Sequence, residues 1–232
     1  MVVSKRQVDR AGDVIRAHAS GADLDRDAIA EAHDVAEEFR VGHALALDQS
    51  VADLQSASME LALPSETGRR LKRMETIQGK LVREPRLKLS RMRDIAGCRQ
   101  TVATMNDLND ALEHLERNLS GSVEKVIDYV SQPRASGYRG IHVIGRYDGM
   151  QAELQLRTRL MHRWAQISEG VQSIETRESS TQAAGDVGEW LRRYGEALAF
   201  RDRGEILPKE LENKVGNAPV AVMDALMSEG RQ

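Results

Sequence analysis

Two carboxylates, Asp94 and Glu153, stand 59 residues apart, each inside a short motif crowded with cationic and hydroxyl side chains, RMRDIAGCR and ELQLRT. A hard dication such as Mg²⁺ is held by one or two protein carboxylates, water and substrate phosphate oxygens completing its shell. This pair fits that count. In QAELQLRT the polar Glu153, Gln155 and Arg157 alternate with Ala152, Leu154 and Leu156, the period of a strand with one apolar and one polar face. A carboxylate, an amide and a guanidinium on one face, with Arg159, His162 and Arg163 just beyond, suit a hydrated cation and anionic oxygens. A solvated sheet face is the plainer reading of that motif taken alone. Asp94 leads into a second expected strand, Gly97 to Val102, and neighbouring strands lie ~5 Å apart, near enough for one ion to bridge them.

The charge distribution points to a polyanionic substrate. The net charge is −3, yet the stretch from Thr67 to Arg99 holds eleven Lys and Arg against three acids, +8 there and −11 elsewhere. Within it, GRRLKRMETIQGK puts Lys72, Thr76 and Lys80 at i, i+4 and i+8, one face of an expected helix running from near Arg69 to Lys80. Like charges at that spacing repel, so something anionic, such as a nucleoside triphosphate, is expected opposite them. A basic surface helix would explain the charge but not its concentration.

A third motif lies between the carboxylates. Tyr129, Pro133, Gly137, Tyr138 and His142 fall in an expected strand, loop and strand. The chain has only eight aromatic residues, two Trp, four Tyr and two Phe, so paired tyrosines here carry information. A tyrosine on a glycine-containing turn can stack on a purine, and a histidine just beyond can donate to a phosphate. Read singly, Tyr138 and His142 are better explained by hairpin packing.

Taken together, the segment from about Gly68 to Glu169 resembles the synthetase domain of RelA/SpoT-type alarmone synthetases in their small form. Arg70, Lys72, Thr76, Ile77 and Lys80 are similar to the family's R-x-K and S-I-x-x-K, and Asp94, Gly97 and Arg99 to its D-x-x-G-x-R. Asp128, Tyr129, Pro133, Gly137, Tyr138 and His142 follow its D-Y, P, G-Y and H; Glu153, Gln155, Arg157 and Thr158 follow its E-x-Q-x-R-T, with Trp164 and Ala165 in step. The resemblance implies an α+β, nucleotidyltransferase-like mixed sheet flanked by helices. It also implies Mg²⁺-dependent transfer of pyrophosphate from ATP to the 3′-hydroxyl of GDP or GTP. Arg70, Lys72, Thr76, Lys80 and Arg99 would hold ATP. Asp94 and Glu153 would be catalytic and bind Mg²⁺. Tyr138, His142, Gln155 and Arg157 would bind the acceptor.

The chain departs from the family pattern in two places. Ile127 stands before the D-Y pair where many synthetases carry a second basic residue, and W-A continues as QISEGV where many have a Glu-His pair. Both departures bear on the acceptor, which leaves tRNA 3′ ends and adenine nucleotides open beside GDP and GTP, as in toxin-like relatives. A catalytically silent nucleotide-binding regulator is a third reading, disfavoured by the presence of both carboxylates and the lysines. His33 and Asp34 form the HD dipeptide of a hydrolase. They sit instead in a helical run whose Ala32, Ala36, Phe39, His43, Leu47, Val51 and Leu54 recur at helical spacing.

The expected organisation is a helical region at 1–66, a synthetase core at 67–175 with a crossover helix at 106–118, and a helical extension at 176–232 broken near 179–188, Pro208 and Pro219. GEWLRRYGEALAFRDRGE and VAVMDALMSEGRQ read as C-terminal helices, either a cover over the sheet or an interface for a second copy or an antitoxin. The polar start MVVSKRQVDR and the want of a membrane-length apolar run give the expectation of a cytoplasmic protein with no membrane partner. The single Cys98 excludes an internal disulfide and reads as a small buried thiol.

Overall fold

The structure, a computed structural model, describes residues 3–175, 181–219 and 222. Three helices come first: α1 (Lys5–Ala19), α2 (Arg26–Val41) and α3 (Ala44–Glu60). Ser4 opens α1 with a reciprocal cap to Gln7, and Asp25 caps α2 through the amide of Ala28, each satisfying amides the first turn leaves unpaired. The run expected as one helix from Ala28 to Ala57 is two. Gly42 and His43 break it, and His43 turns its buried ring back so that Nδ1 lies 2.8 Å from the Phe39 carbonyl.

The basic block also differs from expectation. Arg69 and Arg70 belong to an edge strand, β1 (Glu66–Leu71), and the helix that follows, α4, begins only at Met74 and ends at Arg83. Exposed and without alternating apolar residues, ETGRRL carries no pattern of its own, and pairing with the next strand makes it β. After α4 a single 3₁₀ turn (Leu89–Arg91) leads into β2 (Ala96–Val102), α5 (Met105–Asn118), β3 (Ser122–Asp128), β4 (Ile141–Tyr147) and β5 (Met150–Thr158). Thr104 and Asp107 cap α5 reciprocally, placing the crossover helix within a residue of its expected start.

The five strands form one mixed sheet in the order β1-β2-β5-β4-β3, with β2 and β5 parallel and the other neighbours antiparallel. One face buries Cys98, Val102, Val143, Ala152, Leu154 and Leu156 against α3 and α5. Helices α1, α2 and α4 close a second apolar cluster with Leu89, Met92 and Ile95. A third is built by α6 (Arg159–Glu175) and α7 (Thr181–Asp202), with Trp164, Ile167, Trp190 and Leu191 inside, and α8 (Lys209–Gly216) beside them. The sheet flanked by helices is the α+β arrangement the sequence implied. The break expected near 179–188 is α7 from Thr181 onward, and VAVMDALMSEGRQ lies, apart from Val222, outside the described residues. Among the described residues no helix is long and apolar enough to cross a membrane.

Candidate active site

Strand register aligns the polar face. Arg70, Gly97, Glu153 and Ile144 are partners across β1, β2, β5 and β4; two residues along, Gly68, Arg99, Gln155, His142 and Ile127 form the next row. Paired residues share a face and so do residues two apart. Glu153, Gln155, Arg99 and His142 therefore stand on one side of the sheet, away from the core under α3 and α5. A Cβ on Gly68 would lie 3.0 Å from the Arg99 guanidinium, so any larger residue there would press on the end of that side chain.

Asp94 reaches the same place from the turn before β2. It lines, with Glu153, both a cavity of about 660 Å³ and an adjoining one of about 270 Å³, and Arg70, Gln155, Arg157 and Glu169 also border the two. The larger lobe adds Lys80, Tyr129, Arg134, Tyr138, His142 and Trp164; the smaller adds Gly68, Arg69, Gly97 and Arg99. The sequence-level picture of two distant acidic groups meeting at one polar surface is the arrangement found.

Each carboxylate has its own partners. Lys72 Nζ donates to one Asp94 oxygen at 2.9 Å and Lys80 Nζ to the other at 3.0 Å, and the Lys72 side chain is only 7 % exposed. Lys72 precedes α4, its amide held by the Ile95 carbonyl at 2.8 Å, while Lys80 comes from the last turn of α4. The face expected of one helix is thus assembled from a strand-end and a helix, and the anion opposite it is Asp94 itself. Burial pushes the Asp94 carboxyl up, but the hydrogen bonds and charges of Lys72 and Lys80 together outweigh it and hold the group below the usual carboxylate range.

Glu153 belongs to a closed ring of hydrogen bonds. Arg157 Nε donates to the Tyr138 hydroxyl (3.2 Å) and Arg157 donates through a second nitrogen to Gln155 Oε1 (2.7 Å). Gln155 Nε2 donates to Glu153 (2.7 Å), His142 Nδ1 lies 2.8 Å from the other Glu153 oxygen, and His142 Nε2 lies 2.5 Å from the Tyr138 hydroxyl. An ionised carboxylate can only accept, so His142 Nδ1 carries a proton for Glu153; in the neutral imidazole Nε2 then accepts from the Tyr138 hydroxyl, which itself accepts from Arg157. Burial raises the Glu153 carboxyl, as does nearby Asp94, yet the His142 and Gln155 contacts win and keep it below its ordinary value.

Tyr138 sits on the β3–β4 loop, where Gly137 takes φ +93. Its ring meets Tyr129, His142 and Trp164 edge-on, and the Arg157 guanidinium lies 5.0 Å from its centre. Arg99 is half-buried; burial and the Arg157 charge lower its affinity for its proton, and its Nε is buried without a partner. Of the residues singled out in the sequence, Arg70, Lys80, Asp94, Arg99, Tyr138, His142, Glu153, Gln155 and Arg157 border the cavities, and Lys72 is tied to them through Asp94. Thr76 is exposed on α4 and borders neither. Arg91, Arg93, Arg134, Ser168 and Glu169 line the larger lobe without having been expected. Arg91 and Arg93 were visible only as part of the basic block, and Arg134 gave its signal in lying four residues before Tyr138.

Residues 69–174 match the family model described as a region found in RelA / SpoT proteins. The chain is 30% identical over 114 residues to the GTP pyrophosphokinase YwaC of Bacillus subtilis (strain 168), an alignment covering 44% of this chain and 54% of that protein. It spans about half the length of the curated relatives it matches. Among solved structures, small alarmone synthetase 1 from Bacillus subtilis bound to its product pppGpp shares the fold, with a TM-score of 0.64 and 22% identity over 78% of this chain and 98% of that one. Small alarmone synthetase 2 from the same organism gives a TM-score of 0.62 at 25% identity, again over 78% and 98% of the two chains. The match to the RelA / SpoT region thus covers residues 69–174, the part of the chain that carries both Asp94 and Glu153.

Proposed function

We propose that this chain transfers pyrophosphate from ATP to the 3′-hydroxyl of GDP or GTP, making the alarmone (p)ppGpp. The observation that carries this reading is the convergence of Asp94 and Glu153 on one pair of adjoining cavities, the first flanked by ammonium groups and the second by an imidazole and an amide. The relationship to a protein named as a GTP pyrophosphokinase, and to a synthetase solved with pppGpp, supports the substrate class.

The donor set fits a hard dication. Three carboxylates, Asp94, Glu153 and Glu169, border the shared space, yet among the described residues no three His, Cys, Asp or Glu side chains group to hold a metal by themselves, so phosphate oxygens would have to complete the shell. Bound between Asp94 and Glu153, Mg²⁺ would neutralise charge developing on the transferred phosphates. Arg70, Lys72, Lys80 and Arg99 hold the donor triphosphate. Tyr138 carries the acceptor base, while His142, Gln155 and Arg157 order the acceptor beside Glu153. The acceptor 3′-oxygen bonds to the β-phosphorus of ATP, the bond from that phosphorus to the α–β bridging oxygen breaks, AMP leaves, and Glu153, kept ionised by His142 and Gln155, takes the hydroxyl proton.

The test is an acceptor panel. With ATP labelled in its β-phosphate and Mg²⁺, label is expected on GDP or GTP. Asp94→Asn and Glu153→Gln should each lose roughly 10²–10⁴-fold in kcat. Label appearing only on deacylated tRNA or on an adenine nucleotide would replace the acceptor assignment, and no transfer at all by the wild-type protein would overturn the enzymatic reading.

A further inference from the structure

Asp94 offers no free oxygen to a cation arriving alone. Lys72 takes one carboxylate oxygen and Lys80 the other, at 2.9 and 3.0 Å. Nor is this a loose surface pair: the Lys72 side chain is 7 % exposed and that of Asp94 19 %. A buried ammonium that loses its carboxylate is left with an uncompensated charge, which costs far more than breaking an exposed pair.

Charge counting sharpens the point. The Lys and Arg side chains that line the two cavities, together with Lys72, number nine against the three carboxylates Asp94, Glu153 and Glu169, +6 in all. A lone dication would raise this to +8 and would set two ammonium groups facing it. The same ion arriving on a nucleoside triphosphate brings a total of −2, lowers the set to +4, and gives both lysines phosphate oxygens to move to.

We infer that Lys72 and Lys80 act as a charge lock on Asp94, so that the site admits its divalent metal only as the chelate of a polyphosphate and rejects the free ion. The inference rests on the donor assignment under Proposed function and deepens it. Lys72 and Lys80 are positioning residues in two states: on Asp94 while the donor space is empty, on phosphate when it is filled. The consequence is that metal cannot preload the enzyme.

Mn²⁺ is the probe, followed by the enhancement of water-proton relaxation, with and without an ATP analogue carrying a methylene between its α- and β-phosphorus atoms. The wild-type protein is expected to take up Mn²⁺ with the analogue and to ignore Mn²⁺ alone. Lys80→Met should bind Mn²⁺ alone about tenfold or more tighter than wild type, because one repelling charge is gone and one carboxylate oxygen is freed. Lys80→Arg, which keeps the charge, should not, and Asp94→Asn added to Lys80→Met should abolish the gain. Lys80 is partly exposed, so the variant is expected to fold, and the wild-type comparison needs no variant. Wild-type protein binding Mn²⁺ alone as tightly as with the analogue, or Lys80→Met showing no gain, overturns the lock while leaving the donor site standing. An analogue that neither binds nor brings Mn²⁺ overturns the donor assignment and the lock together.

Discussion

The Tyr138 hydroxyl accepts from Arg157 and donates to His142, and so closes the ring that holds Glu153. Tyr138→Phe keeps the aromatic face and removes only that link, leaving the Arg157 Nε donor and the His142 Nε2 acceptor short of a partner in a half-buried setting. A loss of about 1–2 kcal/mol in stability is expected from urea unfolding, with a lower kcat at little change in the KM for the acceptor. A larger rise in KM than fall in kcat would mean the hydroxyl serves binding and not the placement of Glu153. His162 gives a second residue-scale test. Burial first, then the charges of Arg99 and Arg157, push its imidazole down to about 4 from 6.5, so it is neutral in the folded protein at pH 7. A group depressed on folding contributes stability that is present above its unfolded value and lost as pH falls through the folded one. Unfolding free energy should therefore decline as pH drops from 6.5 toward 4, and His162→Gln should flatten that slope. At this scale the sequence was informative wherever chemistry dictates residue type. Asp94, Glu153 and their lysines were readable, whereas Glu169 and Ser168 were not, because only the placement of α6 beside β5 brings them to the cavity.

Among the elements, α1 does the least expected work. Its Arg16 donates from Nε to the Leu81 carbonyl at 2.9 Å and also to that of Leu87; Asp13 pairs with Lys88, and Asp9 accepts the Ser90 amide at 3.0 Å. These contacts fasten residues 81–90, the approach to Asp94, to a helix that carries none of the site. Gly12 permits the close approach, since a Cβ there would stand 2.7 Å from that of Leu89. Gly12→Leu is expected to cost about 1–3 kcal/mol by overpacking and, by shifting the 3₁₀ turn before Asp94, to raise the KM for ATP while sparing that for the acceptor. Equal changes in both constants would sever α1 from the donor side. Element legibility followed local signal strength. The crossover helix expected at 106–118 is α5 at Met105–Asn118, and β5 could be read from its period of two. β1 could not, because an exposed, arginine-rich edge strand owes its form to β2, and neither could the α2–α3 break, because the apolar spacing runs straight through Gly42 and His43.

Over the whole molecule the site draws on three apolar clusters. The cluster of α1, α2 and α4 supports Lys80, Met92 and the approach to Asp94, while that of α6 and α7 supports Trp164 and Tyr138. Glu153 stands on β5, whose apolar face packs into the core shared with α3 and α5. Long-range pairing of β2 with β5 through residues far apart in sequence is what unites the two carboxylates, and no local pattern encodes it. Phosphorus NMR of the products of ATP, Mg²⁺ and GDP is the most direct measurement of the claim that this union makes a pyrophosphate-transfer centre. The account requires AMP together with new resonances of a pyrophosphate esterified at the 3′ position, absent with Glu153→Gln. Formation of ADP and inorganic phosphate in place of those products, or an unchanged product spectrum from Glu153→Gln, would contradict it.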